Sequence, residues 1–369
     1  MQLKPGVLLK NNEYRVEKVL GQGGFGITYL AVQVALGRKV TVKEFFMKGV
    51  CERDAGTSHV VVSNVDNKEL VARYREKFLK EARSIALLEH RNIVPVIDVF
   101  ECNGTAYYVM KYFGGGSLAD KVRGGAMPEP VAVRYIRQVA DALDFVHSKR
   151  MMHLDVKPSN ILLDENDNVV LIDFGLAKQY DTEGQQTSST PAGLSHGYAP
   201  LEQYKRGGVS VFSPATDIYS LGATLFKLVT GITPPEASDI NDDGLPALPA
   251  EISPAVRRAI EAAMESRRRD RPQSIAEFLG KLKEQRAKMK EQRAKLQASI
   301  TRAATGRAQC RHRLHRTGRV RRVLSKRKVS ITSAATAPPL IEGRCHVVTE
   351  GRRNYQKIKL QVLTTKRLA

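Results

Sequence analysis

Apolar and polar side chains alternate along YRVEKVLGQ (residues 14–22), and the same period of two runs through GITYLAVQVAL (26–36) and KVTVKEFF (39–46). Glycines at 21–26 and Gly37 separate these runs. Period-two alternation punctuated by turn formers predicts three antiparallel strands, because successive side chains of a strand face opposite sides of its sheet. Residues 48–67 are polar, and VVVSN at 60–64 reads either as part of a small hairpin or as an excursion of the loop. The period then changes. Leu70, Tyr74, Phe78, Ile85 and Leu88 recur at near-helical spacing through residues 69–90, which predicts an amphipathic helix. Two short strands follow near 93–101 and 106–113. From Ser117 onward the pattern is mainly helical, as in 127–149 and 217–231, apart from a small strand pair around 160–172. The expected class is α+β: a β-rich lobe, a hinge at about 110–116, and a larger helical lobe ending near 280.

Past that point the seven-residue unit KEQRAKM/KEQRAKL repeats, placing Leu282, Met289 and Leu296 one heptad apart. A coiled coil needs a second apolar position per heptad, and only Ala287 and Ala294 offer one. Residues 281–300 therefore read as a solvated, charged helix. The net charge of +21 changes the picture only beyond residue 280, because basic and acidic residues are equal in number before it. Residues 301–369 form a basic, arginine-rich tail with almost no acids, expected to be disordered. Such a tail suits weak binding to nucleic acid or acidic lipid, which needs little beyond charge. A truncated or frame-shifted end would read the same way. Cys310, His312 and His315 are three scattered donors in this stretch and do not set up a metal site.

The four cysteines form no C-x-x-C pair, the first residues have no signal-peptide pattern, and no run of about 18 apolar residues occurs. The expectation is a protein of the cytoplasm with reduced thiols.

Candidate chemistry lies in a few positions. Gly21-Gln22-Gly23-Gly24-Phe25-Gly26 leads from one predicted strand into the next, not into a helix as a dinucleotide-binding turn would. Lys43 ends a strand, and Glu81 sits on the following helix, where a carboxylate can fix an ammonium. Farther on stand His153-Leu-Asp155-Val-Lys157-Pro-Ser-Asn160 and Asp173-Phe174-Gly175. These elements, in this order and spacing, resemble the protein kinase family over residues 14–279.

That resemblance implies a two-lobed kinase fold over residues 12–280 with an ATP site between the lobes, and a serine/threonine kinase of a bacterial branch. It implies that residues 21–26 cover the phosphates, that Lys43 holds them, and that Glu81 fixes Lys43. Asp155 would accept or orient the proton of the substrate hydroxyl, and Lys157 would neutralise the transferring group. Asn160 and Asp173 would present hard oxygens to Mg²⁺ or Mn²⁺. Lys157 also points to Ser and Thr acceptors in protein substrates, the kinase itself included, rather than Tyr. Met110 resembles the gatekeeper of the adenine-binding segment, with backbone groups of Lys111 and Phe113 facing the base. Glu202 would pair with Arg271, and Asp217 would hold the backbone of the catalytic loop.

Two positions depart from the family pattern. Leu154 stands where an arginine usually precedes the catalytic aspartate, so phosphate on Thr187, Ser188, Ser189 or Thr190 loses its main cationic partner. Leu201 replaces the proline of A-P-E. The alternative to an active enzyme is a pseudokinase scaffold that binds nucleotide without efficient turnover; it would predict loss of at least one of the six charged or amide groups named above, and all six are present.

Overall fold

The computed structural model describes residues 2–54, 56–174, 195–204 and 213–282. Its first half is a six-stranded antiparallel sheet. The strands are β1 (Leu8–Leu9), β2 (Tyr14–Gln22), β3 (Gly26–Gln33), β4 (Arg38–Phe45), and, after β5 (Cys51–Arg53), β6 (Val60–Val62) and α1 (Lys68–Ala86), β7 (Val96–Cys102) and β8 (Thr105–Lys111). Their order in space is β1-β2-β3-β4-β8-β7. The alternation in the sequence ends at Gln33; Val34–Leu36 close a 3₁₀ turn instead, and Gly37 follows at φ 61°. Leu3 and Leu9 are buried and β1 pairs with β2, so the sheet takes in residues before position 12.

The two faces of β4 carry different chemistry. Thr41 lies opposite Met110 and Lys43 opposite Tyr108, so these four side chains share one face. On that face α1 closes the core through Val71, Tyr74, Phe78, Ala82 and Ile85, residues spaced to line one side of a helix. Phe78 lies 5.7 Å from Phe45 and 5.0 Å from Tyr108, ring centre to ring centre. Each such fully buried ring contributes roughly 1.5–3 kcal/mol. The opposite face holds Glu44, which is fully buried and accepts hydrogen bonds from Tyr29 Oη at 2.8 Å and Tyr107 Oη at 2.6 Å. The segment 48–67 resolves as a hairpin: β5 pairs with β6, and Arg53 reaches from it to Glu44 Oε2 at 2.5 Å. The hairpin is thereby pinned to the sheet just before the chain enters α1.

The second half is mainly helical: α2 (Leu118–Lys121), α3 (Glu129–Ser148), the hairpin β9 (Ile161–Leu163) and β10 (Val169–Leu171), α4 (Pro214–Thr230), α5 (Ala237–Asp243) and α6 (Pro254–Ala263). Residues 275–282 are helical as well; the rest of the charged segment expected at 281–300, and the whole tail, lie outside the described residues. Nearly every residue of α4 is buried, as suits a helix surrounded by others on all sides. It stops at Gly231, whose φ of 73° and closeness to Ala126 N, 2.7 Å from where a Cβ would stand, leave no room for a side chain. The architecture is two-lobed, an antiparallel sheet followed by a mainly helical lobe, as the resemblance implies.

Candidate active site

The loop joining α3 to β9 is the centre of the site, and its shape is set by one buried carboxylate. Asp217, in the first turn of α4, accepts the backbone N–H of His153 at 2.9 Å and of Leu154 at 2.8 Å, while His147 Nε2 lies 2.8 Å from its Oδ2. Burial opposes the charge of Asp217, but these donors and the neighbouring histidines outweigh it and hold the carboxyl below its usual range. Leu154 needs this support: at φ 62° it occupies the left-handed region, which costs a side-chain-bearing residue roughly 1–2 kcal/mol. Gln203 Nε2 secures it from the other side by donating to Leu154 O at 2.9 Å.

His153 is fully buried, and its roles are fixed by its neighbours. The N–H of Asp155 donates to His153 Nδ1 at 3.2 Å, so the proton sits on Nε2, 3.0 Å from the carbonyl of Ile172. Burial pushes its pKa down, which keeps the ring neutral. The ring also rests on Phe174, 4.6 Å away. One side chain thus connects the Asp155 loop to the segment holding Asp173.

Around Asp155 three functional groups converge. Lys157 Nζ donates to Asp155 Oδ2 at 2.9 Å, Asn160 Nδ2 to the same oxygen at 3.0 Å and to Asp155 O at 2.9 Å, and Ser195 Oγ to Asp155 Oδ1 at 2.6 Å. Lys157 also donates to Ser195 Oγ at 2.8 Å. Ser195 was not among the residues singled out from the sequence. The only signal for it is its place three residues before Tyr198 in SHGYAPLEQY, a hydroxyl close to many others in that stretch.

Lys43 Nζ lies 2.8 Å from Asp173 Oδ1 and 5.6 Å from the centre of the Tyr108 ring. Burial works against the ammonium charge, but Asp173, Tyr108 and Glu81 together outweigh it and raise the pKa well above the usual lysine value. Glu81 is buried on α1, within electrostatic reach of Lys43. Asp173 is thus a second carboxylate at Lys43 beside Glu81, the one the sequence pointed to.

Above Lys43, residues 21–26 join β2 to β3. Gly23 N donates to Gly26 O at 2.9 Å, and Lys48 N to Gly24 O at 2.9 Å. At Gly26 a Cβ would stand 2.8 Å from the carbonyl oxygen of Glu44, so only glycine lets this loop lie on β4 beside Lys43. Phe25 is held against Tyr74 of α1, 5.2 Å between ring centres. Gly21 and Gln22 end β2. In the hinge Met110 is buried, and Lys111 gives its N–H to Pro95 O at 3.1 Å, so a base edge there would meet the Lys111 carbonyl rather than its amide. The Phe113 ring lies 5.3 Å below Lys111 Nζ.

The donor set fits a hard cation. Asn160 spends its Nδ2 on Asp155, which turns its amide oxygen outward as an acceptor, and Asp173 keeps Oδ2 while Oδ1 meets Lys43. One carboxylate and one amide oxygen suit Mg²⁺, which takes few protein ligands and completes its shell with water and phosphate.

Away from the chemistry, Arg271 and Glu202 form a buried, two-pronged pair at 2.7 and 3.1 Å. Arg271 also donates to the carbonyls of Glu265 and Ser266 and stacks on Tyr219. Leu201 opens the short 3₁₀ turn that carries Glu202.

Residues 14–290 match the protein kinase domain family. The chain is similar to the CBL-interacting serine/threonine-protein kinase 15 of Arabidopsis thaliana, 34% identical over 63% of this chain and 50% of that protein. It is also similar to the serine/threonine-protein kinase PknJ of Mycobacterium tuberculosis, 34% identical over 60% of this chain and 34% of that protein. This chain therefore aligns with half the length or less of these curated relatives. Among solved structures it resembles the apo form of PpkA-294, with a TM-score of 0.66 and 28% identity, covering 76% of this chain and 99% of that one.

Proposed function

The chain belongs to the protein kinase family, and from that premise we propose that it is an active serine/threonine kinase that moves the γ-phosphoryl group of ATP to hydroxyls of protein substrates. The observation that carries the reading is the convergence of Lys157, Asn160 and Ser195 on the carboxylate of Asp155. Bound ATP and Mg²⁺ (or Mn²⁺) supply the transferable group and neutralise its charge. The protein supplies the rest. Asp155 takes the hydrogen bond of the acceptor hydroxyl and orients its oxygen toward the phosphoryl group. Lys157, already beside Asp155, brings a positive charge to the side where negative charge builds. Asn160 and Asp173 offer the two oxygens that hold the cation, and Lys43 and residues 21–26 close over the phosphates.

Ser and Thr are the proposed acceptors, on partner proteins and on the chain itself, and the proposed compartment is the cytoplasm; no helix among the described residues is long and apolar enough to cross a membrane. The G-Y-A-P-L-E-Q-Y stretch supports a bacterial branch. The test is incubation of the full chain with γ-labelled ATP, with and without Mg²⁺ or Mn²⁺, followed by phosphoamino-acid analysis. The expected outcome is metal-dependent label on Ser and Thr that disappears in Asp155→Asn. Label mainly on Tyr, or an undiminished signal in that variant, would refute the assignment.

A further inference from the structure

Next to Asp155 the helical lobe contains a cavity of about 570 Å³. Its lining includes Lys157 and Ser159 of the catalytic loop, Tyr198, Arg123 just past α2, and Lys227 of α4. Three of these are cations, and none of the described residues lining it is acidic. Lys157 belongs to both places: its ammonium touches Asp155 and Ser195, so the cavity starts where the acceptor hydroxyl sits.

The partners of the three cations decide what the cavity takes. Lys157 is occupied by Asp155. Arg123 pairs with Asp120 at 2.6 Å, but both are well exposed, so the pair is weak and easily shared. Asp120 is moreover engaged by the N–H and hydroxyl of Ser117 in the cap of α2. Lys227 is partly buried, and among the described residues its hydrogen bond is to the carbonyl of Gly231 at 2.7 Å. That bond places a cation at the C-terminus of α4, where the helix dipole favours it, and this alone would account for a lysine there. It uses one of three ammonium protons, and no carboxylate among the described residues lies within ion-pair distance of Lys227. A partly buried ammonium, an exposed guanidinium and a serine hydroxyl facing one space complement an anion.

We propose that this cavity is a substrate subsite for an acidic side chain, a carboxylate or a phosphorylated Ser or Thr, within a few residues of the acceptor hydroxyl. The inference rests on the kinase reading and deepens it: the charge of the subsite selects acidic substrates and turns basic ones away. Because the groups are partly solvated, the discrimination is moderate and salt-sensitive.

The experiment uses the full chain and four peptides that share a central Ser, flanked within three residues on either side by Ala, Glu, Arg or phosphoserine. The expected result is a kcat/KM for the Glu peptide about threefold to tenfold above the Arg peptide, the size two partly exposed ion pairs supply. Most of the gap should lie in KM, and it should narrow at high salt. A phosphoserine peptide ahead of the Glu peptide identifies phosphate as the better anion, and the reverse order identifies a carboxylate; either supports the subsite. Arg123→Glu, at an exposed position that leaves the core alone, should remove or invert the Glu-over-Arg ratio, and Lys227→Met should reduce it. Equal rates for Glu and Arg peptides, or a ratio untouched in Arg123→Glu, overturns the subsite while leaving the kinase reading standing. Absence of transfer to every peptide and to a general acceptor protein removes both.

Discussion

Lys43 and Asp173, 130 residues apart in the chain, meet at 2.8 Å across the cleft between the sheet and the helical lobe. The ammonium that would hold phosphates and the carboxylate that would hold their metal thus sit side by side, with Glu81 behind them on α1. The carboxylates beside it hold the Lys43 ammonium charged against its burial, ready for a phosphate.

Asp173 lies at φ 54°, in the left-handed region that Asp and Asn tolerate better than Ala. Asp173→Asn is therefore the variant that separates charge from conformation. We expect it to lower Mg²⁺-dependent phosphoryl transfer by more than about a hundredfold, or roughly 2.7 kcal/mol. Its thermal midpoint should remain within a few degrees of the parent protein. Steady-state assays over a Mg²⁺ series and a melting curve decide it: near-parental transfer would remove Asp173 from the metal site.

Much of this was legible in the sequence because the punctuation is strong. β2 spans Tyr14–Gln22, the run read from alternation: Tyr14 and Val16 meet the core, an irregularity after Val16 shifts the apolar phase to Val19, and glycine closes the strand. α1 was visible from Tyr74 and Phe78, and α4 from an apolar run with an acid at its start. β5 was not visible, because Cys-Glu-Arg has no strand pattern of its own and is held by Arg53 reaching the buried Glu44. Spacing along one helix put Glu81 on the face that acts on Lys43. That Asp173 joins it there was not legible, because it depends on how the lobes meet. Nothing local marks Leu154 as left-handed or Ser195 as a ligand of Asp155, since both follow from contacts with α4 and the catalytic loop.

The pair Arg271–Glu202 gives a stability prediction independent of catalysis. Both side chains are almost inaccessible, and Arg271 also satisfies the carbonyls of Glu265 and Ser266. Removing one member leaves the other charge buried and uncompensated, which typically costs about 3–5 kcal/mol. Arg271→Ala should lose about that much in denaturant unfolding. The double variant Arg271→Met with Glu202→Gln should recover part of it, because no buried charge is then left unpaired. Equal losses in the single and double variants would show that packing rather than charge accounts for the effect.

Stability should fall as the pH drops below neutrality, and His153 sets where this begins. Its pKa is lowered from 6.5 in the fold by burial, so below that value the unfolded chain binds a proton that the native protein refuses. A lowered native pKa gives stability that is complete above 6.5 and is lost as pH falls toward the native value. Asp217, held below its usual 3.8, acts with the same sign at more acidic pH. The slope from His153 is at most about 1.4 kcal/mol per pH unit. Denaturant curves between pH 7 and pH 5 should show it, and His153→Asn, although less stable throughout, should flatten it. An unchanged slope in that variant would assign the effect to other groups.

Control by phosphorylation of the segment before Ser195 is the last expectation, and it turns on Leu154. Thr187, Ser188, Ser189 and Thr190 lie outside the described residues, but the position that would read their phosphates is well defined. Leu154 is 3% exposed, its N–H bonds to Asp217 and its carbonyl accepts from Gln203, so an apolar side chain is built into the loop where a guanidinium would otherwise stand. A loop phosphate of charge about −1.5 to −2 orders a segment by charge-assisted bonds to such a cation, and here that bond is missing. Replacing all four hydroxyl residues by alanine should therefore change kcat by less than about tenfold, equivalent to roughly 1.4 kcal/mol. The competing arrangement has Arg150 or Lys178 take the place of the missing arginine and keep the enzyme dependent on loop phosphate. Phosphatase-treated, untreated and four-alanine proteins compared in one steady-state assay separate the two. Similar rates in all three favour control elsewhere, as through α1 and the hairpin pinned by Arg53, whereas a large loss shared by the treated and mutant proteins would show that a cation other than residue 154 reads the phosphate.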